Sequence, residues 1–384
     1  MQSRFIHHKQ LVTFGNFLAL AYSKSPDLKQ QQKLLGLIVE DWKTSTEIAT
    51  DNRILTNVVA IIVETPSLFR SMDAEMQSEV KLMYLKNWRR SELIKHQIKK
   101  VSKALEESQT QPVLLIKGGL RMFDKLYPGV AHRYMADIDL FFLDPAILDT
   151  LSRIGYKSFD PNEFDLANVE QDYLDVHKTL KSHLPPVYSP DHPCTLEMHQ
   201  HLVHMRAVKY CRENIFQMSV PIPEAPYVLS SNLVDQLIVN LLHATYGDKF
   251  THHPNFRLRN ILEGYLLFQK MTPNEQNEFT SYFDSIGRQD DVAFWKHLCL
   301  NYFDAQEFSE PISLKLRMKF FYHKNFGQSR RANAVLYGIY FVWRTLTKEL
   351  WSPILRNPQF KKLENTNKLH NLLARFIGRE NKSR

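Results

Sequence analysis

The feature that most constrains this chain is a change of pattern at Gln111, where helical periodicity gives way to short, unbroken apolar runs. Before it, the apolar residues Leu34, Leu35, Leu37, Ile38 and Trp42 fall near a helical period from Asp27 to Trp42, as do Ile54, Val58, Ile61 and Ile62. Pro66 should stop that second helix. A long helix is expected from about Asp73, with Val80, Ile94, Ile98, Val101 and Leu105 on one side. Its other side is basic (Arg89, Arg90, Lys95, Lys99, Lys100, Lys103), which reads as a solvated face or a contact for an anionic partner.

After Gln111, Val113–Ile116 reads as a buried strand ended by Gly118-Gly119, then Leu120 to Leu126 as a helix closed by Tyr127-Pro128-Gly129. Asp137 to Leu143 (DIDLFFL) reads as a second strand and Pro145 to Ile154 as a helix. A weaker strand follows Gly155, another is expected over Tyr173 to Leu180, and Thr195 to His201 alternates as a strand again. Pro221 to Pro226 reads as a linker, and Ser231 as the N-cap of the first of several further helices. The expected fold class is therefore α+β: a mixed β-sheet core over 110–220, flanked by mainly helical regions at 1–109 and 221–384.

Composition narrows the chemistry. With only 12 Gly in 384 residues and neither G-x-G-x-x-G nor G-x-x-x-x-G-K-[ST], the dinucleotide-binding and P-loop devices are excluded. A net charge of +8 is compatible with an anionic ligand but weak for a dedicated nucleic-acid binder, although the long basic helix and a basic C-terminal tail keep that class open. Cys194, Cys211 and Cys299 form no C-x-x-C pair, which suits a reducing compartment. No signal peptide is recognisable, and the apolar run Ala334 to Trp343 is too short to span a bilayer, so a cytoplasmic protein is expected.

Asp137-Ile138-Asp139 is the motif richest in chemistry. On a strand, residues two apart share a face, so both carboxylates point one way while Ile138 and Leu140 point into the core. Two aspartates held together repel unless cations neutralise them. A pair of divalent ions does so, and hard oxygen ligands favour Mg²⁺. Lys117 and the Gly118-Gly119 loop before the acidic strand offer an anion site, Glu197 a third carboxylate, and Arg133 a further cation. Alone, D-x-D is as consistent with a loop or salt-bridge feature.

The stretch LLIKGGLRMFDKLYPGVAHRYMADIDLFF, residues 114–142, resembles the bacterial uncharacterised nucleotidyltransferase family, within the superfamily of polymerase-beta-like fold. Leu196-Glu197-Met198-His199 resembles its Glu-x-His strand, and Leu242-His243 with Arg257-Leu258-Arg259 loosely resembles a later segment. The resemblance implies that Gly118 and Gly119 approach the triphosphate of an NTP such as ATP, that Asp137 and Asp139 bind two Mg²⁺ ions, and that Glu197 completes the metal site or acts as base. It also implies transfer of an NMP group to an unidentified small-molecule or protein acceptor. Where many superfamily members have Ser, this chain has Gly119. The alternative is an inactive nucleotidyltransferase-like scaffold that binds a nucleotide or a partner protein.

His199, His201 and His204, with His192, His252 and His253, evoke a zinc site, but no Cys or Asp stands at a zinc-like spacing. His199, sharing a face with Glu197, is expected to orient that carboxylate, and His243 either lines a cleft or packs.

Overall fold

Asp27 and Asp73, each just ahead of an apolar repeat, start helices by accepting backbone N–H groups of the first turn. The structure, a computed structural model, describes residues 2–159, 166, 169, 174, 183–203, 205–246, 256–314, 316–318 and 320. Residues 1–323 make one compact unit; the second, 324–384, lies outside the described residues, as do Ala334 to Trp343 and the basic tail. The N-terminal third forms α1 (Gln2–Ala21), α2 (Leu28–Val39), α3 (Trp42–Asp51), α4 (Leu55–Glu64), the short α5 (Pro66–Arg70) and α6 (Ala74–Glu107). The single helix expected from Asp27 to Trp42 is in fact two. α2 stops at Val39, and Asp41 opens α3 by accepting from the Thr44 N–H at 3.1 Å.

The strands β1 (Val113–Ile116), β2 (Asp137–Phe141), β3 (Lys157–Ser158), β4 (Val187–Tyr188), β5 (Thr195–His199), β6 (Val220–Ile222) and β7 (Ala225–Ser230) form one mixed sheet in the order β3-β4-β5-β2-β1-β7-β6. β5 runs parallel to β2 and β7 parallel to β1, while β1 and β2 are antiparallel. This is the α+β architecture expected.

Strand alternation separates two faces. Val113, Leu115, Ile138, Leu140, Leu196, Met198 and Val228 pack with Ile94, Ile98, Val101 and Leu105 of α6 and with α7 (Ala146–Arg153). From the opposite face, Leu114, Ile116, Phe141 and Leu229 join the core of the remaining helices. These include α8 (Leu233–Tyr246), α9 (Leu258–Lys270), α10 (Pro273–Ser285) and α11 (Gln289–Phe303). Asp137, Asp139, Glu197 and His199 belong to that second face by alternation, and the pairing register sets Asp139 beside Glu197 and Phe141 beside His199.

Three local expectations are corrected. Between β1 and β2 there is no α-helix over 120–126 but a 3₁₀ turn over Lys117–Met122. It ends at Met122, and just beyond it Lys125 takes a left-handed φ of 52° and the Asp124 carboxylate accepts the Leu126 N–H at 2.9 Å, so the chain turns instead of resuming a helix. The 221–226 linker is a β-hairpin, and Pro221 is tolerated there because β6 is an edge strand. The cap of α8 is Asn232, not Ser231: its Oδ1 accepts the Asp235 N–H at 2.8 Å. The strand expected over Tyr173 to Leu180 falls almost entirely outside the described residues.

The basic face of α6 is partly used internally. Lys95 and Lys99 reach Glu224 at 3.0 and 2.5 Å, and Arg90 donates to the Met135 carbonyl at 3.2 Å. Among the described residues no helix is long and apolar enough to cross a membrane.

Candidate active site

The acidic face of β2 and β5 opens on a cavity of about 830 Å³ whose walls include Lys117, Gly118, Arg133, Asp137, Asp139, Glu197 and His243. Among the described residues, Asp139, Glu197 and His199 form a group of potential metal ligands, each offering an atom within 4.8 Å of the others. His199 was expected to orient Glu197, yet its Nε2 lies 2.8 Å from Asp139 Oδ1 and 3.5 Å from Glu197 Oε2. Because ionised carboxylates only accept, Nε2 carries the proton and donates to Asp139. Lys117 Nζ also donates to Asp139 Oδ1, at 2.5 Å. Among the described residues Asp139 Oδ2 receives no hydrogen bond, and the half-buried Asp137 carboxylate has neither a hydrogen bond nor an ion pair.

These contacts sort the three acids electrostatically. Burial opposes ionisation of Asp139 most strongly, but Lys117 and the His199 hydrogen bond outweigh it, and the carboxyl is held far below its usual range. The His199 hydrogen bond lowers Glu197 as well, against burial and the neighbouring Asp139. Asp137 goes the other way: burial raises it, and the charges of Asp139 and Glu197 raise it further. His243 keeps some exposure to the cavity, yet the surrounding protein pushes its imidazole down to about 3, with Lys117 adding to the effect.

The glycine loop is built for packing as well as for approach. Lys117 leaves β1 with φ 54°, a left-handed conformation that turns the chain sharply at the cavity wall. A Cβ on Gly118 would lie 2.7 Å from Arg133 Nη2, and one on Gly119 would lie 2.9 Å from Leu115 Cγ. Gly118 reaches the cavity wall, whereas Gly119 is buried over its own strand and is not among the residues that line it.

Among the described residues Arg133 makes no hydrogen bond or ion pair with the acidic strand, although its charge acts on Asp137. Its Nε donates to Glu263 Oε1 at 2.6 Å, Arg121 approaches Glu263 Oε2 at 3.8 Å, and Tyr127 donates to Oε1 at 3.3 Å. Glu263 and Arg259, on α9, together with Arg53 and Arg257, complete the cationic wall and were not assigned roles from sequence. One signal was available for two of them: Arg259 and Glu263 stand one helical turn apart among the buried Leu258, Ile261, Leu262, Leu266 and Leu267. Of the remaining histidines, His192 stacks on Tyr156, and His204, His252 and His253 lie outside the described residues.

The mixed sheet, with its D-x-D strand beside an E-x-H strand and a Lys-Gly-Gly turn after β1, has a nucleotidyltransferase-like fold. The chain belongs to the uncharacterised nucleotidyltransferase family, whose model matches residues 39–304. No curated protein and no solved structure matches it.

Proposed function

We propose that this protein is a divalent-metal-dependent nucleotidyltransferase that moves an NMP group from an NTP to an acceptor and releases pyrophosphate. The observation that carries the reading is the unsatisfied acid: among the described residues Asp137 has no partner and Asp139 a bare Oδ2, beside Glu197 on the wall of a cationic cavity. Half-buried carboxylates left this way are costly, and oxygen donors so grouped fit hard cations such as Mg²⁺. Asp137, Asp139 and Glu197 would hold the metal, and His199 would orient Asp139 and Glu197 through its Nε2–H. When bound, a pair of such ions supplies Lewis-acid polarisation of the phosphoryl oxygens and neutralises developing charge.

The chain's own groups take the remaining roles. Glu197, the more open of the two acids bonded to His199, accepts the acceptor's proton as its oxygen attacks the α-phosphorus. The bond from that phosphorus to the bridging oxygen breaks, and pyrophosphate leaves with the electron pair. Lys117 exchanges Asp139 for a phosphate oxygen once the acid is otherwise neutralised. Arg133, fixed by Glu263, bounds the pocket beside Gly118.

A second reading, an inactive scaffold, is favoured by the Lys117–Asp139 ion pair, which neutralises that acid without any cation. Pyrophosphate release in Mg²⁺ with a panel of acceptors separates the two. Asp137→Asn and Asp139→Asn should each lower release by at least about a hundredfold. Activity unchanged in both variants would rule out this reading.

A further inference from the structure

The cavity's other wall holds more positive charge than the protein neutralises. Arg53 follows α3, and Arg257 and Arg259 stand at the start of α9. Among the described residues no carboxylate lies within 4.0 Å of any of the three guanidinium groups, and none of them donates a side-chain hydrogen bond. Arg259 is the sharpest case. It is 7% exposed, and its Nε is buried with no partner. Burial and the charge of Arg133 push its guanidinium down to about 9, and Arg53 is lowered by burial and by Arg257. A buried guanidinium with an unpartnered Nε, set beside the more open Arg53 and Arg257 on the same cavity, calls for an anion.

The surrounding structure holds this arrangement in place. The buried Asn52 joins the two elements: its carbonyl accepts the Arg259 N–H at 3.3 Å, its Oδ1 accepts the Leu258 N–H at 3.4 Å, and its Nδ2 ties back to the Ile48 carbonyl at 3.0 Å. The next residue, Arg53, takes a left-handed φ of 58°, where Gly or Asn would be the easier choice. The strained turn and the brace together fix the cationic side chains on one wall.

We propose that Arg53, Arg257 and Arg259 form an anion subsite that takes a phosphate group, separate from the carboxylate set at Asp137, Asp139 and Glu197. The guanidinium fork matches phosphate oxygens in pairs. That the phosphate belongs to a substrate rests on the transfer reading; the subsite itself does not. Its owner is either the triphosphate of the nucleotide or a phosphate on the acceptor.

The test uses the full chain in EDTA with inorganic phosphate as probe, followed by calorimetry and thermal melting. Phosphate should bind the wild type and raise its melting temperature. Arg259→Met and Arg53→Gln, each checked for folding by circular dichroism, should weaken phosphate by about tenfold or more, while Asp139→Asn should retain it. Equal phosphate affinity in wild type, Arg259→Met and Arg53→Gln, or no binding to the wild type, would overturn the proposal. A titration of phosphate against ATP identifies the owner: exclusion assigns the subsite to the triphosphate, joint binding to the second substrate. Because the readout needs neither metal nor turnover, the subsite can stand if the transfer reading fails, and the reverse.

Discussion

Lys117 Nζ and His199 Nε2 converge on one oxygen, Asp139 Oδ1, at 2.5 and 2.8 Å. A cation approaching Asp139 therefore competes with a charge already present. Lys117→Met removes that competitor and should tighten Mn²⁺ binding in the absence of nucleotide by roughly tenfold, the scale of one charge-assisted hydrogen bond. The same variant should weaken nucleotide binding. Calorimetric titration of Mn²⁺ and of ATP, run separately, checks both signs; weaker Mn²⁺ binding in the variant would contradict the competition.

The two glycines of the loop should respond differently to a methyl group. Gly119→Ala drives Cβ into the Leu115 side chain in the core and should cost about 1–3 kcal/mol of stability. Gly118→Ala instead meets the end of the Arg133 side chain, so its main effect should fall on ligand affinity. Chemical denaturation and ATP titration of both variants separate the effects.

Glu263 serves Arg133, Arg121 and Tyr127 at once from a site only 6% exposed. Glu263→Gln leaves the buried Arg133 without its ion-pair partner and removes the acid whose charge acts on Arg259, while Arg121 keeps Asp124. Destabilisation of ~3–5 kcal/mol is expected in denaturant melts. Added phosphate should recover part of that loss, because an anion in the cavity supplies the missing charge.

Asp137 gives a pH signature. Its carboxyl is raised by burial and by Asp139 and Glu197, so in the folded chain the ionised form carries a cost that the unfolded chain does not. The cost is absent below the unfolded pKa of about 3.9, where both states are protonated, and is complete above the raised folded pKa. Asp137→Asn should therefore melt higher than wild type near neutral pH in EDTA, with the advantage vanishing below about pH 4. Mg²⁺ should reduce the difference by stabilising the wild type. An advantage of equal size at every pH would show that charge is not its cause.

Legibility in the sequence followed the range over which each signal acts. β1 is readable as an unbroken apolar run, and β2 and β5 because alternation assigns Ile138 and Asp139 to opposite faces whatever the neighbours are. The 3₁₀ turn is not legible because the apolar spacing from Leu120 to Leu126 permits a helix, and the left-handed Lys125 that prevents a helix from running to Leu126 leaves no pattern. The β6–β7 hairpin was hidden by its prolines, which are acceptable only at an edge. The cationic wall was illegible for a different reason. Arg53, Arg133 and Glu263 come from three distant stretches of chain, and no local rule joins Arg133 to Glu263. His199 was placed on the right face, but its stronger bond to Asp139 depends on a diagonal across two strands.

β2 and β5 are neighbours in the sheet although α7, β3 and β4 come between them in the chain. The pairing that sets Glu197 beside Asp139 closes a long loop, and such pairings form late because the closure entropy precedes the contacts that offset it. As the chain leaves the ribosome, Asp137 and Asp139 emerge as two ordinary aspartates, with Glu197, His199 and Arg259 still to be made. A divalent ion met at that stage finds no set of ligands, and a nucleotide finds no cavity. Partly folded chains are therefore expected to be silent toward both until β5 has paired with β2.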